Sequence, residues 1–337
     1  MAYPSTMRAA MYRRPGEVEV VEVDGPPPGD VVVEVEFCGI CGTDLHMMLD
    51  GWGSPDTVFG HEWSGRVVDP GDSDLVPGAL VVGTPDAPCG DCDRCEAERT
   101  SLCTNRPEAG SGSGWGAFAE RVSVGADRLV VVPEDVPAHH AAYTEPLAVA
   151  LHAVTLSEIT DDQTALVTGV GPIGAAIIAI LVDRGITVRA TEVSETRAAL
   201  ADRLGAEVCD PSELDVPAHP GTTPADAVDV VFETSGARMA AEQGLTQVAS
   251  GGMLMLVGTG MDYPRLDTNR VILNEVRIGG AFNYDAGGFA DALALIASRR
   301  LPLDDLIELD PVPLDGMMAA MQALRAGEIA GKVLVQP

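Results

Sequence analysis

The stretch Ala165-Leu166-Val167-Thr168-Gly169-Val170-Gly171-Pro172-Ile173-Gly174 sets the frame for the whole chain. Ala165–Thr168 is short, apolar and bounded by glycine, which predicts a buried strand. A G-x-G-x-x-G follows at once. Beyond it Ile173, Ile177, Ile180 and Leu181 recur at helical spacing and predict a helix over Pro172–Arg184. Alone, the glycine pattern is weak evidence; between a strand and a helix it has a mechanical explanation. Gly169 permits the tight turn, Gly171 lets backbone amides approach a pyrophosphate, and Gly174 lets helix and strand pack closely. The helix N-terminus adds partial positive charge, and Pro172 occupies a position whose N–H has no intrahelical partner. Gly169, Gly171, Pro172, Ile173 and Gly174 are therefore candidate dinucleotide contacts. Glu192, eighteen residues after Gly174, closes a strand predicted over Thr187–Thr191. A carboxylate there accepts both ribose hydroxyls of NAD and repels a 2′-phosphate, so NAD is expected in preference to NADP. Arg197 lies close enough in sequence to blur that preference.

Outward from this stretch the rhythm is strand–helix–strand. A helix over Glu195–Leu204 and apolar strands at Val228–Glu233 and Met253–Val257 complete a doubly wound parallel sheet over residues 151–279. Before it, short β-type runs alternate with Gly/Pro turns: Val18–Val23, Val31–Glu36, Ser64–Val68, Leu80–Val82, Phe118–Val124 and Leu129–Val132. They predict a strand-rich, barrel-like domain. After it come helices at Gly288–Ser298 and Leu314–Arg325 and a strand at Lys332–Val335. The fold class is α/β: residues 1–150 and 280–337 form one domain, into which the sheet domain is inserted. Pro211–Pro224 is a proline-rich surface excursion.

Two cysteine-bearing sets lie in the first domain. Cys89, Cys92, Cys95 and Cys103 are spaced C-x2-C-x2-C-x7-C, which lets four thiolates close on one tetrahedral ion, zinc before others. The lobe around them, residues 86–106, has few large apolar side chains, so metal binding is expected to replace a core there. Asp91, Asp93 and Glu96 within it face solvent. The second set is mixed: Cys38-Gly39-Ile40-Cys41-Gly42-Thr43-Asp44-Leu45-His46, then Gly60-His61-Glu62, then Glu145-Pro146. A catalytic zinc keeps three protein ligands and an open position. Cys41, His61 and one of two carboxylates, Glu145 or Glu62, fill that role. Cys38 and Cys41 could instead belong to a structural site, but the four-cysteine cluster is complete without them.

In this order and spacing, C-G-I-C-G-T-D-L-H, G-H-E, C-x2-C-x2-C-x7-C, E-P-L-A and G-x-G-x-x-G resemble the zinc-containing medium-chain dehydrogenases, from Met7 to Gly331-Lys332-Val333. Glu145-Pro146-Leu147-Ala148 resembles the polyol (sorbitol-type), threonine and sugar dehydrogenase branch; the simple alkanol branch usually has a cysteine there. The resemblance implies a GroES-like β-barrel catalytic domain and a Rossmann domain, with the active site in the cleft between them. It implies that Cys41 and His61 bind a catalytic zinc. Glu145 would be the third ligand or would hold the zinc-bound water, and Glu62 the alternate carboxylate. Thr43 would take the substrate proton, His46 relay it toward solvent, and Asp44 orient a ligand. Cys89, Cys92, Cys95 and Cys103 would hold a second, structural zinc. Lys332 would lie near the pyrophosphate, and Val257, Gly258 and Phe282 would flank the nicotinamide. Cys38 would not be a ligand. The implied reaction passes hydride from a secondary alcohol (a polyol, a sugar or similar) to NAD; a threonine-type amino alcohol and a simple alcohol are the alternatives. A zinc-independent quinone or enone reductase would lack the Cys41, His61 and Glu145 set, and a non-catalytic zinc module would have no use for the relay.

Composition bounds the rest. The 337 residues are 46% hydrophobic and can hold two cores. Six of the seven cysteines fall in two tight groups, which reads as metal binding in a reducing compartment. With no signal pattern and no membrane-length apolar run, a cytoplasmic protein is expected. Asp+Glu 51 against Lys+Arg 21 gives a net charge of -30; that field excludes nucleic acid and anionic membranes as partners. It reads as a solvated acidic surface that fits salt adaptation; Lys332 is the only lysine, and that arginine bias fits genome composition as well. Trp52, Phe59, Trp63 and Trp115 are pocket or core residues. Edge strands near Met253–Val257 and Arg277–Ala281 could pair across a two-fold, giving a homodimer or homotetramer.

Overall fold

The computed structural model describes residues 4–26, 30–84, 88–106 and 116–337. Trp115 and the first residues of the cysteine lobe lie outside them. The N-terminal part is built from β1 (Thr6–Arg14), β2 (Glu17–Asp24), β3 (Val31–Gly39), β4 (Thr57–Val58), β5 (Glu62–Asp69), β6 (Leu80–Gly83), β7 (Arg121–Val124) and β8 (Leu129–Val131). β1 pairs with β2 and β4, and an isolated bridge joins Ala9 to Ala119. β3 is the hub of the larger sheet. It pairs antiparallel with β5 and β7, and the C-terminal strand β16 (Leu334–Gln336) pairs with its end at Cys38 and Gly39. The core includes Met7, Val33, Cys38, Trp63, Phe118, Met317 and Val335. This is the strand-rich domain that the alternating β-type runs predict and that the resemblance implies to be GroES-like.

The central part is a six-stranded sheet of β9 (Thr164–Thr168), β10 (Thr187–Thr191), β11 (Glu207–Cys209), β12 (Val228–Glu233), β13 (Val248–Leu256) and β14 (Arg277–Gly280). Its order is β11-β10-β9-β12-β13-β14, every pair parallel. This is the Rossmann arrangement. Strand order reverses beside β9, where such sheets bind ligands at their C-terminal ends. Ala165, Leu166 and Val167 are almost wholly buried, as a strand covered on both faces requires. β15 (Val312–Pro313) and β16 then return to the first sheet.

Some elements differ from the sequence expectation. The helix Thr144–Ser157 was not predicted, although it packs on the helices Pro172–Asp183 and Gly288–Ala297. Its buried residues lie all round it, including Glu145 and His152, so it carries no amphipathic period to read. β1 was also missed: four consecutive buried residues, Ala9–Tyr12, interrupt its alternation. The expected strand from Phe118 begins at Arg121, with Phe118 and Ala119 bonded to β1 and the loop before β5. β13 is not an edge, because β12 and β14 flank it; only β14 of that pair lies at the sheet margin. Trp63 is core, its ring packed against Gly83, whereas Trp52 is 47% exposed.

The glycines of the turn differ in what they tolerate. A Cβ on Gly174 would stand 2.1 Å from the Gly169 carbonyl oxygen, whereas one on Gly171, at φ −71°, would meet nothing within 4 Å. Gly174→Val is expected to lower stability by about 1–3 kcal/mol or more through overpacking. Gly171→Ala is expected to be neutral or stabilising by up to about 1 kcal/mol. Urea unfolding of the two variants checks this contrast.

Candidate active site

Cys41 is set by the end of β3. The strand delivers Gly39, and the chain turns at Cys41 into the helix Gly42–Leu49, of which Cys41 is the N-cap. The Cys41 sulfur accepts from the Thr43 amide at 3.5 Å, and the Asp44 carboxylate accepts from the Cys41 amide at 2.9 Å. This capping box fixes the thiol and leaves Asp44 buried beneath it. Gly60, at φ +100°, makes the sharp turn that presents His61 and starts β5 at Glu62. The His61 Nδ1 lies 3.8 Å from Asp44. Burial disfavours a charged imidazole, but Asp44, Cys41 and Glu145 outweigh it and carry His61 well above its usual value.

The donor atoms of Cys41, His61 and Glu62 lie within 4.8 Å of one another. Glu145, at the first turn of the helix Thr144–Ser157, stands beside this trio rather than in it. Burial, then Glu62 and Asp44, push its carboxyl up to about 7 against His61 and Lys332. Lys332, expected near the pyrophosphate, is buried against Glu62. It is 1% exposed, and its Nζ donates to Glu62 Oε1 at 2.7 Å and to the Ile40 carbonyl at 3.0 Å. The physical reason is charge compensation: a carboxylate as deep as Glu62 needs a cation. Glu62 Oε2 lies 2.6 Å from Nζ but makes no hydrogen bond among the described residues, which leaves an acceptor for a second cation. A thiol, an imidazole and a carboxylate suit zinc.

Thr43 is exposed beside Cys41. His46, one turn on, stacks on Trp52 with ring centroids 4.7 Å apart, and its Nδ1 lies 2.8 Å from Asp50 Oδ2. Arg325 binds the same oxygen at 2.8 Å. Hydrogen bonds from Arg325 and then His46 hold the Asp50 carboxyl below its usual value. Asp50 and Arg325 escaped the sequence reading, and Trp52 was expected only as a pocket or core residue. Asp50 and Trp52 follow His46 closely, but Arg325 arrives from 275 residues away.

The four-cysteine cluster is assembled. Sulfur–sulfur distances are 3.5 Å for Cys89–Cys103, 3.6 Å for Cys92–Cys95 and 3.9 Å for Cys89–Cys95. A tetrahedron of Zn–S bonds of about 2.3 Å has edges of about 3.8 Å. Hydrogen bonds from the Thr104 and Cys95 amides hold Cys92 down to about 5, while the Asp91 side chain pushes Cys89 up to about 12. Asp285 tethers the lobe to the segment after β14, accepting from Arg99 and from the Ser101 amide, each at 2.9 Å.

At the dinucleotide turn, Gly169 takes φ +86°, and Thr234 donates to its carbonyl at 2.6 Å. The Tyr143 hydroxyl donates to the Pro172 carbonyl at 3.1 Å. One Glu192 oxygen accepts from the Val170 amide at 2.7 Å, the other from Val193 and Ser194. The Val257 and Gly258 amides both bond the Glu233 carbonyl, beside Ser235 and Gly236. Phe282 is 62% exposed. Arg197 points away from a cofactor role: its guanidinium donates to the Leu324 and Ile329 carbonyls at the end of the helix Met317–Ala326, where a cation complements the helix dipole.

Residues 27–134 match the model of the alcohol dehydrogenase GroES-like domain, and residues 172–298 match that of the zinc-binding dehydrogenases. L-threonine 3-dehydrogenase of Thermococcus kodakarensis is 35% identical over 98% of both chains. The chain belongs to the zinc-containing medium-chain dehydrogenases. Within this family it is also 34% identical to 2-dehydro-3-deoxy-L-galactonate 5-dehydrogenase of Pseudoalteromonas atlantica, over 89% of this chain and 90% of that one. The structure of 2R,3R-butanediol dehydrogenase from Bacillus subtilis superposes with a TM-score of 0.87 at 29% identity, covering 98% of this chain and 99% of that one. A zinc-binding dehydrogenase from Sinorhizobium meliloti bound to NADP gives 0.87 at 31% identity, covering 99% and 100%. This dehydrogenase is accordingly an oxidoreductase of the polyol-like branch that uses a nicotinamide cofactor. No helix among its described residues is long and apolar enough to cross a membrane.

Two expectations follow. Cys41→Ser should abolish turnover with the fold retained, while Cys92→Ala should destabilise the lobe; circular dichroism, thermal melts and metal analysis separate the two, and equal unfolding in both would refute the division. Lys332→Met leaves Glu62 buried without its cation, a loss of about 3–5 kcal/mol, read by urea unfolding.

Proposed function

We propose that this dehydrogenase oxidises a secondary alcohol of a polyol, sugar or similar small molecule, with NAD as hydride acceptor. The juxtaposition of Cys41, His61 and Glu62 beside Glu145 carries the proposal. Cys41 and His61 would hold a zinc ion, with Glu62 or Glu145 as the third ligand. Bound there, the ion would supply the Lewis acidity that lets an alcohol ionise near neutrality. Thr43 would take the hydroxyl proton. His46, clamped by Asp50 and Trp52, would pass it toward solvent. A second zinc in the four-cysteine lobe would be structural.

The same reading assigns residues 1–150 and 280–337 to the catalytic domain and 151–279 to the cofactor domain. The cofactor would lie along Gly169, Gly171, Pro172, Ile173 and Gly174, with Val257, Gly258 and Phe282 near the nicotinamide. Relatives that act on L-threonine, butanediol and a sugar acid support a small hydroxylated substrate. The marginal strand β14 supports pairing of two copies. Glu192 at the rim of the glycine turn supports NAD over NADP, and the engagement of Arg197 elsewhere removes a rival for the 2′-phosphate.

NADH absorbance should rise when a polyol panel is added with NAD and stay flat after chelation, returning with zinc. No rise with any secondary alcohol, at full zinc content, would overturn the proposal. Glu192→Ala should cut kcat/KM for NAD by about 10–100-fold, the worth of a charged hydrogen bond of about 1.5–3 kcal/mol. Arg197→Ala should leave the NAD/NADP ratio unchanged.

A further inference from the structure

A second cluster of metal-binding side chains lies outside both sites. His139 and His140 stand side by side on the short helix Ala138–Ala141, and Asp304 comes from the helix Leu303–Leu306. One donor atom from each lies within 4.8 Å of the other two. The His140 Nε2 is 2.8 Å from Asp304 Oδ1, and the two imidazoles are 4.3 Å apart at 62°. Phe37 meets His139 edge-on at 6.2 Å. Both carrier helices are pinned by their apolar faces, Ala138 and Ala141 on one and Leu303 and Leu306 on the other, all buried. The Ser64 hydroxyl fastens the first through the Ala138 carbonyl at 2.7 Å.

The surroundings suit a cation. His140 and Asp304 open on a cleft of about 1310 Å³, whose walls also carry Glu134, Asp135 and Asp305. Two of these acids are answered by arginines: Asp135 pairs with Arg299 at 3.2 Å and Asp305 with Arg203 at 3.4 Å. Asp304 has the imidazole of His140 instead.

We propose that His139, His140 and Asp304 form a further transition-metal site that ties the helix Ala138–Ala141 to the helix Leu303–Leu306. Two imidazoles and one carboxylate select Zn2+, Ni2+ or Cu2+ over Mg2+ or Ca2+. An ion about 2.1 Å from each donor spans donors up to about 4.2 Å apart, so a small side-chain rotation completes the set. The cleft supplies the remaining positions with water. Nothing in the proposed hydride transfer requires this ion; it is a brace between two segments that are 164 residues apart along the chain.

The test uses tag-free full-length protein brought to two zinc ions per chain and then dialysed against Ni2+, with bound metal counted by mass spectrometry and melting followed in parallel. The wild type should take up one Ni2+ per chain beyond its zinc and melt at a higher temperature with Ni2+ present. His140→Ala and Asp304→Asn should each weaken that binding by at least about 10-fold, the lower end of what loss of even an outer partner costs a metal site. Asp304 is exposed, so D304N keeps the test decisive if H140A misfolds. Excess Mg2+ should not displace the Ni2+. Equal uptake by wild type and D304N, no Ni2+ beyond the zinc complement, or displacement by Mg2+ would overturn the site.

Discussion

Glu62 and Lys332 meet where neither side chain touches solvent. An ionised pair at that depth persists only if its geometry is good and its remaining hydrogen bonds are met. Lys332 meets its half of this condition by also donating to the Ile40 carbonyl, in the turn between β3 and Cys41, while Glu62 Oε2 keeps an acceptor for the metal. The pair therefore joins three pieces of chain: the start of β5 with His61 just before it, the turn that carries Cys41, and the C-terminal segment that runs into β16. A Cβ on Gly39 would strike the Glu62 carboxylate at 2.3 Å, so the strand must carry a glycine there. Lys332 is the only lysine in a chain with 51 acidic residues. The cation least able to serve the surface is the one that holds the candidate metal donors in place.

Around that anchor the site is made of termini and turns supported by rigid elements. Cys41 caps a helix, His61 follows a positive-φ glycine, and Glu145 opens the long helix between the two sheets. The Tyr143 hydroxyl, just before that helix, is bonded to the first residue of the cofactor-domain helix. Thus the carboxylate beside the metal donors and the glycine turn are fixed to one continuous piece of structure. Asp285 does a comparable job at the other side, fastening the cysteine lobe to the segment that follows β14.

The charge balance acts elsewhere. Most ion pairs of this protein are exposed, such as Arg8–Asp315 and Arg277–Glu158, and pairs of that kind contribute about 0–1 kcal/mol each. They do not set the fold. The net charge of -30 instead sets the field around the molecule, which attracts cations and repels polyanions.

The sequence by itself determined the two-domain α/β plan, the parallel sheet around the glycine turn and the membership of the cysteine cluster. Those are local properties: hydrophobic period, turn chemistry and ligand spacing are complete within a few tens of residues. It also named Cys41, His61, Glu62 and Glu145. It did not show that Glu62 shares the tight donor set while Glu145 stands next to it. The family resemblance put Lys332 near the pyrophosphate, and closeness to Glu192 in sequence put Arg197 near the ribose. Tertiary structure sent each cation to a different need, one to a buried carboxylate and the other to the carbonyl end of a helix. The helix Thr144–Ser157 was illegible because burial on every side erased its period. The arrival of Arg325 at Asp50 and the pairing of His140 with Asp304 were illegible for another reason: residues far apart in the chain meet only when the two sheets and their helices have packed.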